Sequence, residues 1–273
     1  MKFDNRLIIS DLDGTFFDDN EQIPTCNIDS INYFKENGGI FTFATGRNEL
    51  DIEPEIIKLA NAPVICCSGA YIYDFENSRR HNEICVAPGP AISAIKTVLE
   101  SFHGITVSIA SDKKFYIINP TDSFLKRIEP SSDNKYIFAS LDEIPTGTWY
   151  SIVFHGESSQ LDLAEKFISA SSDNSYFICR SWPTMLEINN IRATKGNAAL
   201  ELRHICEAKS KSGHITLYSI GDYGNDIDLL EKSDLSACPA NAIAQLQNIA
   251  DITVCSNNDG AVAGFIEYID ANM

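Results

Sequence analysis

Positive charge is scarce in this sequence. Its 273 residues include 21 lysines and arginines against 38 aspartates and glutamates, which gives a formal net charge of -17. No basic run is longer than Arg79-Arg80. Because such a charge repels polyanions, we expect neither nucleic acid nor a membrane as a partner. An anionic substrate would need a local positive field, most simply a bound cation and a lysine.

Long apolar runs are also missing. Nowhere do eighteen apolar residues follow one another, which is about the length that a membrane-spanning helix needs. The first ten residues, MKFDNRLIIS, contain only a short apolar run and no small-residue cleavage site. We therefore expect a cytoplasmic protein.

The eight cysteines form no C-x-x-C pair, and no histidine cluster accompanies them. In a reducing compartment this pattern favours small buried hydrophobes over disulfides or a metal site. The five histidines show no ligand spacing and are expected to be surface or structural residues.

Apolar residues make up 44% of the chain and charged residues 22%, which is typical of a folded globular protein. The pattern predicts strands over residues 7–10 and 40–44 and a third in PVICCSGAYIYD. Helices are predicted over 25–37 and about 49–60. This alternation indicates a parallel sheet with right-handed crossovers.

The regular alternation of strands and helices stops between residues 83 and 189. Strands separated by short polar turns indicate antiparallel pairing. Helices are predicted over 91–102 and 160–170, a polar stretch lies around EPSSDNKY, and strands are predicted over 105–110, 115–118, 149–154, 176–180 and 185–188.

The alternation resumes with a helix over 194–208 and the strand ITLYSIGD. Helices from about 226, 241 and 260 follow, with the strands LSAC and ITVC between them. We therefore predict an α/β protein with a doubly wound (Rossmann-like) parallel-sheet core, residues 1–82 and 190–273. An inserted α+β cap domain, residues 83–189, interrupts this core.

Polar side chains follow several predicted core strands, where doubly wound sheets bind ligands. Asp11 and Asp13 lie so close together that they persist only with a cation between them or a proton on one of them. With a divalent cation neutralising Asp11, its oxygen could attack phosphorus while a protonated Asp13 donates to the leaving oxygen. Mg²⁺ suits such oxygen ligands, and Asp222 is an expected additional one. Thr45 could donate its hydroxyl to a phosphoryl oxygen, and Lys195 supplies the positive charge.

The segments DLDGT, FATGR, ATKGN and GDYGND, in this order, resemble the four motifs of the haloacid-dehalogenase-like phosphatases. SGAYIYD, NAIAQLQNIAD and DGAVAGFIE are similar to segments of the Cof-like subgroup, whose large α/β cap matches the insertion. The resemblance covers essentially the whole chain.

The resemblance implies a role for each matching residue. Asp11 would be the nucleophile that becomes an aspartyl-phosphate. Asp13 would be the general acid/base, and its backbone carbonyl would also ligate Mg²⁺. Thr45, with Gly46 beside it, and Lys195 would hold the phosphoryl group.

In the last motif, Asp222 would be the acidic metal ligand. Asn225 and Asp226 would position metal, water or lysine, although either could simply cap the following helix. Arg47 could reach an anionic substrate group or pair with an acid such as Glu49 or Asp51.

The expected function is a magnesium-dependent phosphomonoester hydrolase for small phosphorylated metabolites, sugar phosphates first. One alternative is a phosphosugar mutase of the same superfamily. The other is a non-enzymatic signalling module with a phosphorylatable aspartate, which would leave the insertion and GDYGND unexplained. No sequence feature predicts the oligomeric state.

Overall fold

The computed structural model describes residues 1–112, 114–128, 135–171 and 176–272. The chain divides into two compact units: unit 1 is Met1–Glu83 with Thr194–Met273, and unit 2 is Ile84–Ala193. Most of the predicted polar stretch, residues 129–134, lies outside the described residues. None of the helices in the described ranges has the length and apolar character needed to cross a membrane.

Helices and strands are numbered in chain order. The first segment of unit 1 contains β1 (Arg6–Ser10), α1 (Thr25–Glu36), β2 (Ile40–Phe43), α2 (Pro54–Leu59), β3 (Val64–Cys66), β4 (Tyr71–Asp74) and β5 (Arg79–His81). Unit 2 contains α3 (Pro88–Ser101), β6 (Thr106–Ser111), β7 (Lys114–Ile118), α4 (Asp122–Ile128), β8 (Tyr136–Phe138), β9 (Trp149–His155), α5 (Ser158–Ser171), β10 (Tyr176–Trp182) and β11 (Met185–Asn190). The second segment of unit 1 contains α6 (Lys195–Glu207), β12 (Thr216–Ile220), α7 (Ile227–Glu231), β13 (Leu235–Pro239), α8 (Ala244–Ile249), β14 (Ile252–Val254) and α9 (Ala261–Ala271).

Unit 1 is built on a parallel sheet with the strand order β14-β13-β12-β1-β2. The first strand of the chain lies inside the sheet, with β2 on one side and β12 on the other. The strand order reverses at β1, and such a switch point opens a crevice at the carboxyl ends of the strands. The expected α/β class with a parallel-sheet core is confirmed.

Alternating apolar side chains cover both faces of this sheet, as parallel strands require. On one face, Leu7 and Ile9 of β1 pack in a buried cluster with Leu202 of α6. On the other, Tyr218 of β12 meets the ring of Phe265 in α9, with 6.4 Å between ring centroids. This packing stabilises the sheet in which β1 and β12 are neighbours, so that their carboxyl ends lie side by side.

Unit 2 is built on a six-stranded sheet with the order β10-β11-β9-β6-β7-β8. The pairs are antiparallel as expected, except that β8 runs parallel to β7. Apolar residues of the sheet pack against α3 and α5 in a core separate from that of unit 1. This core includes Ile95, Val107, Ile152, Leu161 and Leu186.

The single helix predicted over residues 49–60 is wrong. The chain forms a short 3-10 turn at Glu49–Asp51 and starts a new helix at Pro54. Proline forces the residue before it out of the helical region, and Glu53 is extended with φ -65° and ψ 146°. Proline fits the first turn of a helix but not its interior.

The segment PVICCSGAYIYD is not one strand. It folds back on itself as the antiparallel pair β3–β4, and β5 extends this small sheet. Cys67, Ser68 and Gly69 all have positive φ, which ends β3 and reverses the chain. A single parallel bridge, Ala44 to Ile65, links β2 to β3.

The sequence analysis did not predict three short elements of the described chain: β5, α4 and β8. The first is the charged sequence Arg79-Arg80-His81, which carries no apolar alternation, and the other two span 7 and 3 residues. Helix α8 begins at Ala244 rather than near 241. The preceding residue, Ile243, is extended with φ -60° and ψ 148°.

Candidate active site

Asp11 and Asp13, the first two candidate residues, lie in the loop after β1 and differ in exposure. Asp11 is buried with 6% of its surface exposed, and its backbone N–H donates to the carbonyl of Ile220 at 2.9 Å. That bond joins the carboxyl ends of β1 and β12. The side chain of Asp13 is half exposed, at 48%. The two carboxylates therefore occupy different environments, although one residue separates them.

Lys195 is the centre of the buried part of the site. It is the first residue of α6 and has no exposed surface. Its ammonium Nζ donates to Asp11 Oδ1 at 2.5 Å and to Asp226 Oδ1 at 2.6 Å. Burial alone would lower the pKa of Lys195, but the two carboxylates outweigh it and raise that pKa above its usual value. The lysine is therefore held charged between two aspartates.

Asp222, which follows β12, completes the acidic group. Its Oδ1 accepts a hydrogen bond from Thr15 Oγ1 at 2.9 Å. Gly14 has φ +83°, and a Cβ there would lie 2.5 Å from Asp222 Oδ2. Glycine at position 14 therefore provides both the turn and the space for this carboxylate.

The acidic group carries more negative charge than Lys195 compensates. Burial, and then repulsion from Asp226, raises the pKa of Asp11 well above its usual range. The same two causes raise the pKa of Asp222 to about 7. Three buried carboxylates thus lie near a single ammonium group, which bonds to two of them, and a further cation would relieve the repulsion among them.

The donor set fits a hard divalent cation. One carboxylate oxygen from each of Asp11, Asp222 and Asp226 lies within 4.8 Å of the others. Oxygen ligands in this number suit Mg²⁺, which keeps further positions for water and phosphate. The expected ligand set included Asp13 in place of Asp226. The carboxylate of Asp13 is bonded to Arg47, and its role as a ligand through the backbone carbonyl stays a prediction.

Arg47 lies beside Asp13, and 22% of its side chain is exposed. Its Nη2 donates to Asp13 Oδ1 at 2.6 Å and its Nε to Asp13 Oδ2 at 3.2 Å, a two-point contact of guanidinium with carboxylate. Its Nη1 also donates to Glu53 at 3.0 Å, and the guanidinium lies 5.3 Å from the ring centroid of Phe17. Arg47 thus pairs with acids, as considered from sequence, but its carboxylate partners are Asp13 and Glu53, while Asp51 accepts from Nη1 through its backbone carbonyl at 3.4 Å. Arg47 therefore fixes the general-acid candidate.

Thr45 is buried just beyond β2, next to the hairpin turn at residues 67–69. Its Oγ1 accepts a hydrogen bond from the N–H of Arg47 at 3.1 Å. Because the oxygen accepts this bond, the hydroxyl proton can still be donated to a ligand. Its carbonyl accepts the N–H of Ser68 at 2.9 Å, so the hairpin turn supports the threonine. Gly46, the next residue, is exposed.

Residues 224–226 form a 3-10 turn that brings Asp226 under Lys195. Asp226 Oδ2 also accepts the backbone N–H groups of Asp222 and Tyr223, at 3.1 and 3.2 Å. Asn225 is buried at 6% exposure in the same turn. The side chain of Asp226 makes no capping hydrogen bond to α7. It orients the lysine and the loop that carries Asp222 instead.

The sequence analysis missed two sets of hydrogen bonds, one made by Thr15 and one made by Glu49. Thr15 is the last letter of DLDGT, and its hydrogen bond to Asp222 joins the first motif to the last. Glu49 is buried and accepts from Tyr71 and Arg80, both at 2.5 Å. An acid, a tyrosine and an arginine far apart in sequence give no local signal for such a group.

A parallel sheet with a buried lysine between carboxylates at its switch point is the arrangement expected from the resemblance to the haloacid-dehalogenase-like phosphatases. Residues 8–266 match the family model described as haloacid dehalogenase-like hydrolase, and the chain belongs to this family, in its Cof type. Pyridoxal phosphate phosphatase of Escherichia coli (strain K12) is 25% identical to this chain, over 96% of this chain and 97% of its own length. 5-Amino-6-(5-phospho-D-ribitylamino)uracil phosphatase of Bacillus subtilis (strain 168) is 21% identical, over 96% of both chains.

Solved structures show the same fold. A Thermotoga maritima protein superimposes with a TM-score of 0.75 at 23% identity, covering 96% of this chain and 97% of that one. A subclass IIB sugar phosphatase of the superfamily superimposes with a TM-score of 0.81 at 17% identity, covering 97% and 99%. Family and relatives together make this protein a phosphatase. The alternative of a non-enzymatic signalling module is thereby wrong.

Proposed function

We propose that this phosphatase is a magnesium-dependent phosphomonoester hydrolase that works through an aspartyl-phosphate on Asp11. The observation that carries the proposal is the fully buried Lys195, which donates to both Asp11 and Asp226. Burying an ammonium group is costly unless carboxylates surround it. With Asp222, three carboxylates lie close to one ammonium group, so a bound divalent cation would favour their ionised forms.

Each residue has one task in this proposal. An oxygen of Asp11 attacks phosphorus, and Asp13 gives a proton to the leaving oxygen as that bond breaks. Asp13 then takes a proton from water, which attacks phosphorus and releases Asp11. Lys195 and the Thr45 hydroxyl hold the phosphoryl oxygens, whose charge increases in the transition state.

Asp11, Asp222 and Asp226 are the side chains that would hold Mg²⁺, with Asn225 in the same turn. When bound, the ion would supply positive charge beside the phosphoryl group, which the acidic chain otherwise lacks. The oxygen-only donor set and the raised pKa of Asp11 and of Asp222 support this assignment.

We propose small phosphorylated metabolites as substrates, with sugar phosphates first. The relatives are named for phosphorylated small molecules, and one structural neighbour is a sugar phosphatase. Arg47 and Gly46 would contact the substrate beyond the transferred phosphoryl group. We further propose that unit 2 acts as the cap that excludes water from the first step.

The test compares phosphate release by the wild type, Asp11→Asn and Asp29→Asn, with and without Mg²⁺. Asp29→Asn is a matched control because Asp29 is exposed on α1. The substrates are sugar phosphates, pyridoxal phosphate, nucleotides and an aryl phosphate. We expect Mg²⁺-dependent turnover that Asp11→Asn lowers by a factor on the order of a thousand or more, since the nucleophile is lost.

Turnover that survives in Asp11→Asn would contradict the nucleophile assignment. A wild type that isomerises a sugar phosphate only in the presence of a sugar bisphosphate would indicate the mutase instead. Equal turnover with and without Mg²⁺ would contradict the proposed dependence on this cation.

A further inference from the structure

Two exposed cysteines, far apart in sequence, meet at one backbone oxygen of unit 1. Cys26 lies in the first turn of α1, and Cys255 directly follows β14. The sulfur of Cys26 lies 3.9 Å from the carbonyl oxygen of Asp259, and the sulfur of Cys255 lies 3.7 Å from the same oxygen. The two thiols are therefore neighbours in space.

Two glycines make room for the two sulfur atoms. A Cβ at Gly260, whose φ is +84°, would lie 2.2 Å from the sulfur of Cys26. A Cβ at Gly264 would lie 3.1 Å from the sulfur of Cys255. Any larger residue at position 260 would push the Cys26 thiol away from Asp259.

Buried amides fix the backbone on both sides of the pair. Asn27, next to Cys26, donates to the carbonyl of Phe16 at 3.0 Å and accepts the N–H of Ala263 at 2.9 Å. Asn257, two residues after Cys255, donates to the carbonyl of Phe17 at 3.1 Å. The backbones beside the two thiols are therefore both anchored.

We infer that Cys26 and Cys255 form a redox-active dithiol that closes into an intramolecular disulfide when the protein meets a peroxide. The other cysteines do not compete, because five are buried and Cys85 is only partly exposed. Neither cysteine is among the residues assigned to phosphoryl transfer.

The chemistry balances in two steps. The thiolate of Cys26 attacks one oxygen of hydrogen peroxide, the O–O bond breaks, and hydroxide leaves with a Cys26 sulfenic acid formed. The thiolate of Cys255 then attacks the Cys26 sulfur, an S–S bond forms, and the S–O bond breaks to release a second hydroxide. Both hydroxides take up the thiol protons, so two thiols are oxidised and one peroxide is reduced to two waters.

The first attack is assigned to Cys26, which is exposed in the first turn of α1. Cys255 acts second. Burial, with the nearby Asp259 and Cys26, raises the pKa of the Cys255 thiol. Closure of the disulfide should therefore become faster as pH rises.

The test treats the fully reduced chain with a small excess of hydrogen peroxide and then alkylates the remaining thiols. We expect two fewer alkylated cysteines and, by mass spectrometry of a non-reducing digest, a cross-link between the peptides that contain Cys26 and Cys255. Dithiothreitol should restore both thiols. Cys26→Ser and Cys255→Ser should each abolish the cross-link, whereas the matched variant Cys85→Ser should retain it.

Three results would overturn the inference. One is a wild type that keeps all its thiols at peroxide levels that oxidise free cysteine. Another is a cross-link to a different cysteine, or only between two chains. The third is oxidation of Cys26 to a sulfinic acid without closure.

Discussion

Lys195 shows how one residue organises a site made from distant parts of the chain. Its ammonium joins Asp11, which follows the first strand, to Asp226, which follows β12. Removing the lysine would leave two buried carboxylates without their counter-charge, a change that costs about 3–5 kcal/mol in buried pairs. The lysine is therefore as important for assembling the site as for its proposed contact with phosphate.

The buried carboxylate of Asp222 gives the metal-free protein a distinct pH dependence. Its pKa is raised to about 7 in the folded state, whereas an unfolded aspartate titrates near pH 3.9. The folded state therefore binds the proton more tightly. Its contribution is fully present below about pH 4 and is lost as pH rises to about 7, with a slope of at most about 1.4 kcal/mol per pH unit.

Urea unfolding of the EDTA-treated protein, at several values between about pH 5 and pH 8, measures this slope. Stability should decline with pH in the wild type and decline less in Asp222→Asn, which cannot ionise. Saturating Mg²⁺ should reduce the decline, because the cation stabilises the carboxylate. An unchanged slope in Asp222→Asn would contradict the assignment.

At the scale of elements, the turn between β3 and β4 sets the position of α6. Gly69 has φ +100°, and a Cβ there would lie 2.2 Å from the backbone carbonyl oxygen of Thr194. Thr194 caps α6 by accepting the N–H of Asn197 at 3.1 Å, and Lys195 is the first residue of that helix. The hairpin turn thus supports both Thr45 and the helix that presents the lysine.

Gly69→Ala should therefore harm both stability and turnover. A Cβ so close to a backbone oxygen forces one of the two segments to move, which costs about 1–3 kcal/mol, and the left-handed φ adds to that cost. Thermal unfolding and kcat on the best substrate are the measurements. Gly89→Ala is the matched control, because a Cβ at Gly89 meets nothing within 4 Å. Unchanged kcat in a folded Gly69→Ala protein would show that the turn does not position Lys195.

At the scale of the whole molecule, the two units have separate hydrophobic cores. Leu202 is buried in unit 1 and Leu186 in unit 2, each with no exposed surface. Both tryptophans of the chain, Trp149 and Trp182, lie in unit 2. Tryptophan fluorescence therefore reports on unit 2, while circular dichroism reports on both units.

We expect Leu186→Ala to lower the midpoint of the fluorescence transition and Leu202→Ala to leave that midpoint near the wild-type value. Each change removes the same atoms from a full core and should cost about 2–5 kcal/mol in its own unit. Equal shifts of the fluorescence midpoint in both variants would mean that the two units unfold as one. Mg²⁺ should raise the midpoint of the unit 1 transition, because its proposed ligands all lie there.

Much of this architecture could be predicted from the sequence because its signals are local. The apolar strand before Asp11 and the alternation of strands and helices led to the α/β class, which is confirmed. The four motifs led to the haloacid dehalogenase family, which is confirmed by the match over residues 8–266. The roles of the individual site residues, and the boundaries of the predicted cap, stay predictions.

From sequence, the chemical groups and the strand ends that carry them can be identified. Which groups come together depends on the fold: Asp226 bonds to Lys195, Asp13 bonds to Arg47, and the thiols of Cys26 and Cys255 lie at one carbonyl oxygen. The fold also determines that the chain reverses at residues 67–69 instead of continuing as a strand. The physical reason is that periodicity and propensity act over a few neighbouring residues, whereas these pairings depend on strand order and on side-chain packing between segments distant in sequence.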